Sequence, residues 1–154
     1  MSINSGSRQI LIHGMLLVLV GFLWGLVVPA TPYPRLALTA HVQFETNGLL
    51  FIVLATVLLA LPHRVGLKSI RVMLLAAFLT WAMALSEVAN AWWGTTQMLP
   101  IAAAQASANG GLAWQEAIIK LSHIGAGLGL IVAWSLLIIG FIKQGPGPVA
   151  IKKP

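Results

Sequence analysis

The chain has 154 residues, of which 58% are apolar and only 8% charged, with a net charge of +6 and no cysteine. Soluble domains carry about 25% charged residues, so this balance excludes a soluble fold, and the lack of thiols excludes a disulfide framework and thiolate ligation of a metal. The nine basic residues are scattered at the ends of apolar stretches rather than gathered on one face, which speaks against nucleic acid as a partner.

Four apolar stretches reach the roughly 20 residues that an α-helix needs to cross a bilayer. They lie at about 9–28, 35–61, 69–93 and 114–142. The expected architecture is all-α, an integral-membrane four-helix bundle over residues 1–143 with a disordered tail at 144–154, where Gly145, Pro146, Gly147 and Pro148 follow one another. If the helices alternate, Arg8, Arg64, Lys68, Arg71, Lys143, Lys152 and Lys153 fall on one side and only Arg35 and Lys120 on the other. The positive-inside rule then makes both termini cytoplasmic, as in a multi-pass protein of a bacterial inner membrane.

The first helix runs from Gln9 to Val28 and ends at Pro29, Pro32 and Pro34, which cannot continue it. Gly21 and Gly25, four apart, allow a close helix contact, and so do Gly125 and Gly129 in the fourth helix; packing alone accounts for both pairs. The second helix starts near Arg35 with a polar half holding His41, Gln43, Glu45 and Asn47, then turns apolar from Leu49 to Leu61. The third carries Ser86, Glu87 and Asn90 in its last turns and stops at Gly94. The uncharged stretch from Thr95 to Ala113 is long for a loop, either a lid over the outer face or a mobile connection. The fourth helix bears Glu116, Lys120, Ser122 and His123 early, and Trp24, Trp92, Trp93 and Trp114 mark the outer ends as an interfacial belt.

Helical rise gives depths below the outer surface of about 9 Å for His41 and Glu87, about 14 Å for His123 and about 18 Å for Asn47. Ionisable groups inside hydrocarbon cost a few kcal/mol, so they face cavities or one another and mark function. Two His and two Glu at one level predict a polar cavity in the outer leaflet, against the plainer reading of interhelical hydrogen bonds that hold the bundle together. At about 100° per residue, His41, Glu45 and Gly48 share one face of the second helix, whereas Gln43 and Asn47 point elsewhere. Imidazole is a usual axial ligand of haem, and a glycine on the same face leaves room for a flat macrocycle. Glu45 with His41, Glu87 and His123 is the alternative, a non-haem metal site.

The run Pro34-Arg35-Leu36-Ala37-Leu38-Thr39-Ala40-His41, followed by Asn47-Gly48, resembles the second helix of the hydroxylaminobenzene mutase and styrene oxide isomerase family, and His13-Gly14 resembles the opening of its first. The resemblance implies an integral-membrane isomerase of small apolar aromatic compounds, assembled as a homotrimer in the membrane lipid. In the epoxide branch haem b sits between protomers on the second-helix His. Carried over, His41 is the metal ligand, with Glu45 and Gly48 beside the cofactor, and Asn47 is the substrate-facing amide. Where the epoxide isomerase has an Asn and a Tyr after an aromatic in the third helix, this chain, counted from Trp81, has Met83 and Glu87. Glu87 is then the candidate proton shuttle, and the arginine before His41 is closer to the mutase branch, whose members rearrange N-hydroxyanilines to aminophenols. Two readings compete: a haem electron carrier that recruits His123 or His13 as second ligand, and a proton-relay transporter. The lack of polar groups through the inner halves of the second and third helices argues against a conduction path.

Overall fold

A computed structural model describes residues 2–143, so the expectation for the tail at 144–154 lies outside the described residues. Helices α1 (Ile3–Val27), α2 (Pro34–Ala60), α3 (Leu67–Trp93) and α5 (Ala113–Ile142) are each long and apolar enough to cross a membrane, and a six-residue helix α4 (Pro100–Gln105) lies between α3 and α5. Among the described residues there is no strand. The chain is a multi-pass all-α membrane protein.

Helix α1 begins six residues before the start expected at Gln9. The hydroxyl of Ser2 accepts from the amide of Ser5 at 3.1 Å and caps it, a start signal that lies ahead of the apolar run. Pro29 falls in a 3-10 turn (Val28–Ala30), and Pro34 opens α2, where a missing amide proton costs nothing. Helix α3 stops at Gly94, whose φ of 63° is left-handed. A side chain at Gly94 would also meet the ring of Tyr33, whose amide donates to Ala91 O at 3.1 Å.

Helix α1 crosses α2 where Gly14 and Gly48 meet backbone to backbone: a Cβ built on Gly48 would stand 2.8 Å from the Gly14 carbonyl oxygen and 2.9 Å from the Val18 nitrogen. Helix α5 lies on α3 through Gly129, against Ala76 and Leu79, and through a Ser86–Ser122 hydroxyl contact of 2.7 Å. Small residues allow such approaches in lipid, where apolar side chains gain little by leaving one solvent for another. Ile10, Leu17, Phe44, Phe51, Leu54, Ile70 and Met73 fill the centre. The outward side chains are just as apolar, including Phe22, Phe78 and Leu128, while Glu87, Asn90 and Thr80 are wholly buried. This inverts the distribution of a soluble protein, as hydrocarbon around the bundle requires.

The stretch between α3 and α5 is an ordered cap. Asn90 Oδ1 accepts from the amide and hydroxyl of Thr95 at 2.9 and 2.7 Å. The amide of Gly110 donates to Gly94 O at 3.1 Å. The carboxylate of Glu116 accepts from the amides of Thr96, Gln97 and Gly111 at 2.8, 3.0 and 3.2 Å. Lys120 donates to Gln97 and Arg35 to Gln105, and Ala102 and Ala103 of α4 pack on Leu36 of α2. These contacts tie the segment to the ends of α2, α3 and α5.

Candidate active site

The outer half of α2 presents two polar faces, and the structure separates what they touch. On the face toward α1, His41 lies over Gly25 and its Nδ1 is 2.8 Å from the carbonyl oxygen of Gly21. A carbonyl oxygen can only accept, so Nδ1 carries the proton and Nε2 presents a lone pair. Nε2 stands 3.5 Å from Glu45 Oε1, one turn further on, and the two side chains keep 26% and 30% of their surface exposed. Glu45 in turn packs over Gly21. The glycines of α1 therefore do more than shorten a helix contact: they seat both polar side chains, and one of them supplies the carbonyl that fixes the imidazole. Their spacing was visible in the sequence, but their partners were not.

Gly48 does lie on the face of His41 and Glu45, but it leaves no open room there. Gly14 and Val18 fill the notch, so the close approach that this glycine permits goes to α1 and not to a flat macrocycle.

The second face of α2 looks into the bundle. Asn47 is buried and its Nδ2 donates both protons back along its own helix, to the carbonyl and to the side-chain Oε1 of Gln43, each at 2.8 Å. Its Oδ1 is what remains for another molecule, and it can only accept. Two turns from Asn47 toward the outer surface, the half-buried Thr39 hydroxyl is 2.6 Å from Leu36 O and 2.7 Å from Glu87 Oε2. Glu87, fully buried on α3, faces Nε2 of His123 of α5 at 3.1 Å through its other oxygen, and His123 Nδ1 is 2.8 Å from Ile119 O.

The two His and two Glu thus fall into two pairs on opposite sides of α2, not one cluster. Among the described residues no three of His, Cys, Asp and Glu are placed to hold a metal ion, which removes the four-residue non-haem site expected as an alternative. His13, the histidine of α1, packs edge-on against Phe78 at 4.8 Å between ring centres. A shallow recess of about 300 Å³ opens on the outer surface between Arg35 and Met98–Ala102, one turn above Thr39 on the same strip of α2.

Sequence reasoning missed two residues here. Glu116 was read only as an acidic residue early in its helix, yet it gathers three loop amides, a role that depends on contacts 5 to 20 residues away. Thr39 passed unremarked inside the run that carries the family resemblance, since hydroxyls are common in membrane helices.

Residues 6–142 match the model of the styrene oxide isomerase family. The chain belongs to this family. It is 29% identical over 141 residues to hydroxylaminobenzene mutase HabB of Ectopseudomonas oleovorans, covering 91% of this chain and 83% of that one. It is 30% identical over 94 residues to hydroxylaminobenzene mutase HabA of the same organism, covering 60% of this chain and 68% of that protein. No solved structure gives a significant match. Membership of the styrene oxide isomerase family makes the chain an isomerase, in agreement with the expectation from Pro34–His41 and Asn47-Gly48.

Proposed function

We propose that this isomerase rearranges a small aromatic hydroxylamine to an aminophenol inside the membrane, without net oxidation or reduction, and that it uses haem b. The observation that carries the reading is the setting of His41. Its Nδ1 proton is committed to Gly21 O, which fixes the tautomer, leaves on Nε2, now facing Glu45, the lone pair that would bind a metal and raises its basicity, the arrangement common to ligating histidines. The half-exposed Glu45 beside it can turn aside. These residues would hold a haem through His41 Nε2. When bound, haem b would supply a ferric centre acting as Lewis acid toward the oxygen of the substrate.

Asn47 favours the hydroxylamine over an epoxide. With both amide protons given to Gln43, it offers an acceptor. A hydroxylamine brings N–H and O–H donors to such a group, whereas an epoxide brings none. The two hydroxylaminobenzene mutases among the relatives agree with this choice. The chain has no phosphate loop or dinucleotide fingerprint, consistent with a reaction that consumes no nucleotide.

The same reading includes assembly and place. A partly exposed His–Glu pair facing lipid would be costly, and a second copy over α1 and α2 would cover it. In this reading the assembly is a homotrimer, as the family resemblance implies, in a bacterial inner membrane with both termini cytoplasmic, as the placement of Arg8, Arg64, Lys68 and Arg71 implies. The test is to incubate purified protein with phenylhydroxylamine and with styrene oxide in the absence of reductant. Conversion of phenylhydroxylamine to an isomer of the same composition is expected. Conversion of styrene oxide alone would reverse the choice of substrate, and reversible reduction coupled to a quinone with no isomerisation would replace the reading by electron transfer.

A further inference from the structure

Thr39, Gln43 and Asn47 follow one another at intervals of four along α2, and counting their protons shows which of them have hydrogen-bonding capacity left. The Thr39 hydroxyl already has two acceptors, Leu36 O and Glu87 Oε2. Asn47 gives both protons of Nδ2 to Gln43, one to its main-chain carbonyl and one to its Oε1, each at 2.8 Å. The first of these bonds fixes the Asn47 amide, because turning it round would set Oδ1 against an oxygen that can only accept. The second fixes Gln43 in the same way, since its oxygen and not its nitrogen must meet Nδ2. Gln43 Nε2 therefore keeps two N–H groups, and among the described residues it donates to none. By helical rise Gln43 lies about 12 Å below Arg35, inside hydrocarbon, where a free donor has no water to turn to. Its side chain is half-buried, so a molecule arriving beside α2 can reach it.

We propose that Gln43 is a second substrate-binding residue, whose Nε2 donates to the oxygen of the hydroxylamine while Asn47 Oδ1 accepts from its N–H; this rests on the hydroxylamine reading given above. Two amides joined in this way leave one free donor end and one free acceptor end. An –NH–OH group matches both ends, and an epoxide matches only the donor. The pairing also follows the charge that develops in the reaction. As the N–O bond breaks, the electron pair goes with oxygen, and the nitrogen and ring become electron-poor. A donor on the oxygen and an acceptor on the N–H both bind more strongly at that point than before it, which is how a binding contact becomes a rate effect. The oxygen then bonds to a ring carbon and that carbon's proton ends on nitrogen, so the composition is unchanged and no electrons are gained or lost. Gln43 both touches substrate and holds Asn47 in place, and the two roles separate by experiment.

The test uses the full chain, loaded as purified, with Gln43→Met and Asn47→Leu, each close in size to the residue it replaces. Two small aromatic probes are titrated by calorimetry: acetophenone, which only accepts, and aniline, whose N–H groups donate and whose lone pair is drawn into the ring. Gln43→Met should weaken acetophenone binding about tenfold, the loss of one hydrogen bond. It should leave aniline within about twofold, because the main-chain carbonyl of position 43 still anchors the Asn47 amide. Asn47→Leu should give the opposite pattern. On phenylhydroxylamine, Gln43→Met should lower kcat/KM about tenfold or more, with part of the loss in kcat. Equal weakening of both probes in Gln43→Met would make Gln43 a mere prop for Asn47 and overturn the proposal. Unchanged acetophenone binding in that variant, or a wild type that does not bind acetophenone, would overturn it as well. The expected probe pattern with no turnover of phenylhydroxylamine would keep the donor–acceptor pair as a binding site and strike the hydroxylamine reading instead.

Discussion

Replacing Glu116 by Ala should loosen the outer cap while leaving the spanning bundle folded. The carboxylate accepts from three amides, those of Thr96, Gln97 and Gly111, at 2.8 to 3.2 Å, and is itself buried. A hydrogen bond to a charged group contributes about 1.5–3 kcal/mol. These amides lie at the outer surface, though, where water can take the place of the carboxylate, so about 1 kcal/mol each is the better figure. The sum, about 3 kcal/mol, comes off the free energy of opening the cap, and at 1.4 kcal/mol per decade the open fraction rises about a hundredfold. Hydrogen exchange followed by mass spectrometry reads this directly: peptides covering 95–112 should exchange about a hundred times faster in the variant, while those from the middle of α3 and α5 keep their wild-type rates. Glu116→Gln should fall between, since one oxygen can still serve Thr96 and Gly111 but its amide would confront the N–H of Gln97. Exchange in 95–112 within about threefold of wild type would refute the reasoning, because the cap would then be held by Asn90, Lys120 and the α4 contact without the carboxylate.

Three further outcomes test the frame around the site. Gly48→Ala places a methyl 2.8 Å from Gly14 O and 2.9 Å from Val18 N, so α1 and α2 must separate; thermal unfolding in detergent should show a loss of about 1–3 kcal/mol, and unchanged stability would contradict the crossing. His41→Ala should remove the Soret band of the purified protein while it still inserts, and undiminished haem in that variant would assign the ligand to another histidine. Cysteines introduced at Gln97 and Gly66 should be labelled from opposite sides of the membrane, Gly66 from the cytoplasm; labelling of Gln97 from the cytoplasm would reverse the orientation argued from Arg8, Arg64, Lys68 and Arg71.

The spans were legible because hydrocarbon imposes one coarse demand, about 20 apolar residues, that composition meets without regard to neighbours. Helix faces were legible for the same kind of reason. A 100° step puts His41, Glu45 and Gly48 together whatever surrounds them, and the structure sets all three against α1. What lay beyond the sequence was which helix each face would meet. Depth places His41, Glu87 and His123 at similar levels, and similar levels invite the idea of one cavity. The lateral order of helices decides otherwise, putting Glu87 and His123 between α3 and α5 and His41 against α1. Glycine carries a matching ambiguity. A missing side chain announces a close approach but not the visitor, and at Gly48 the visitor is α1, whereas at Gly21 and Gly25 it is the polar pair itself.

That division has a consequence for where catalysis can occur. His41 and Glu45 are the polar pair on the bundle's outside, and their 26% and 30% exposure would face lipid in a lone protomer. Asn47, Glu87 and His123 are enclosed, and their polar atoms are met mostly within the chain. A substrate held against the His41 face and handled by groups of the Thr39 face must therefore either span α2 or lie between two copies, the His41 side of one meeting the recess side of the next. The second arrangement also covers the exposed pair and so removes its cost in hydrocarbon. It makes activity depend on assembly: mixing a His41→Ala chain with an Asn47→Ala chain should give more turnover than the two chains give separately if the two faces come from different copies. No recovery in mixed assemblies of verified composition would place both faces of the site within one protomer.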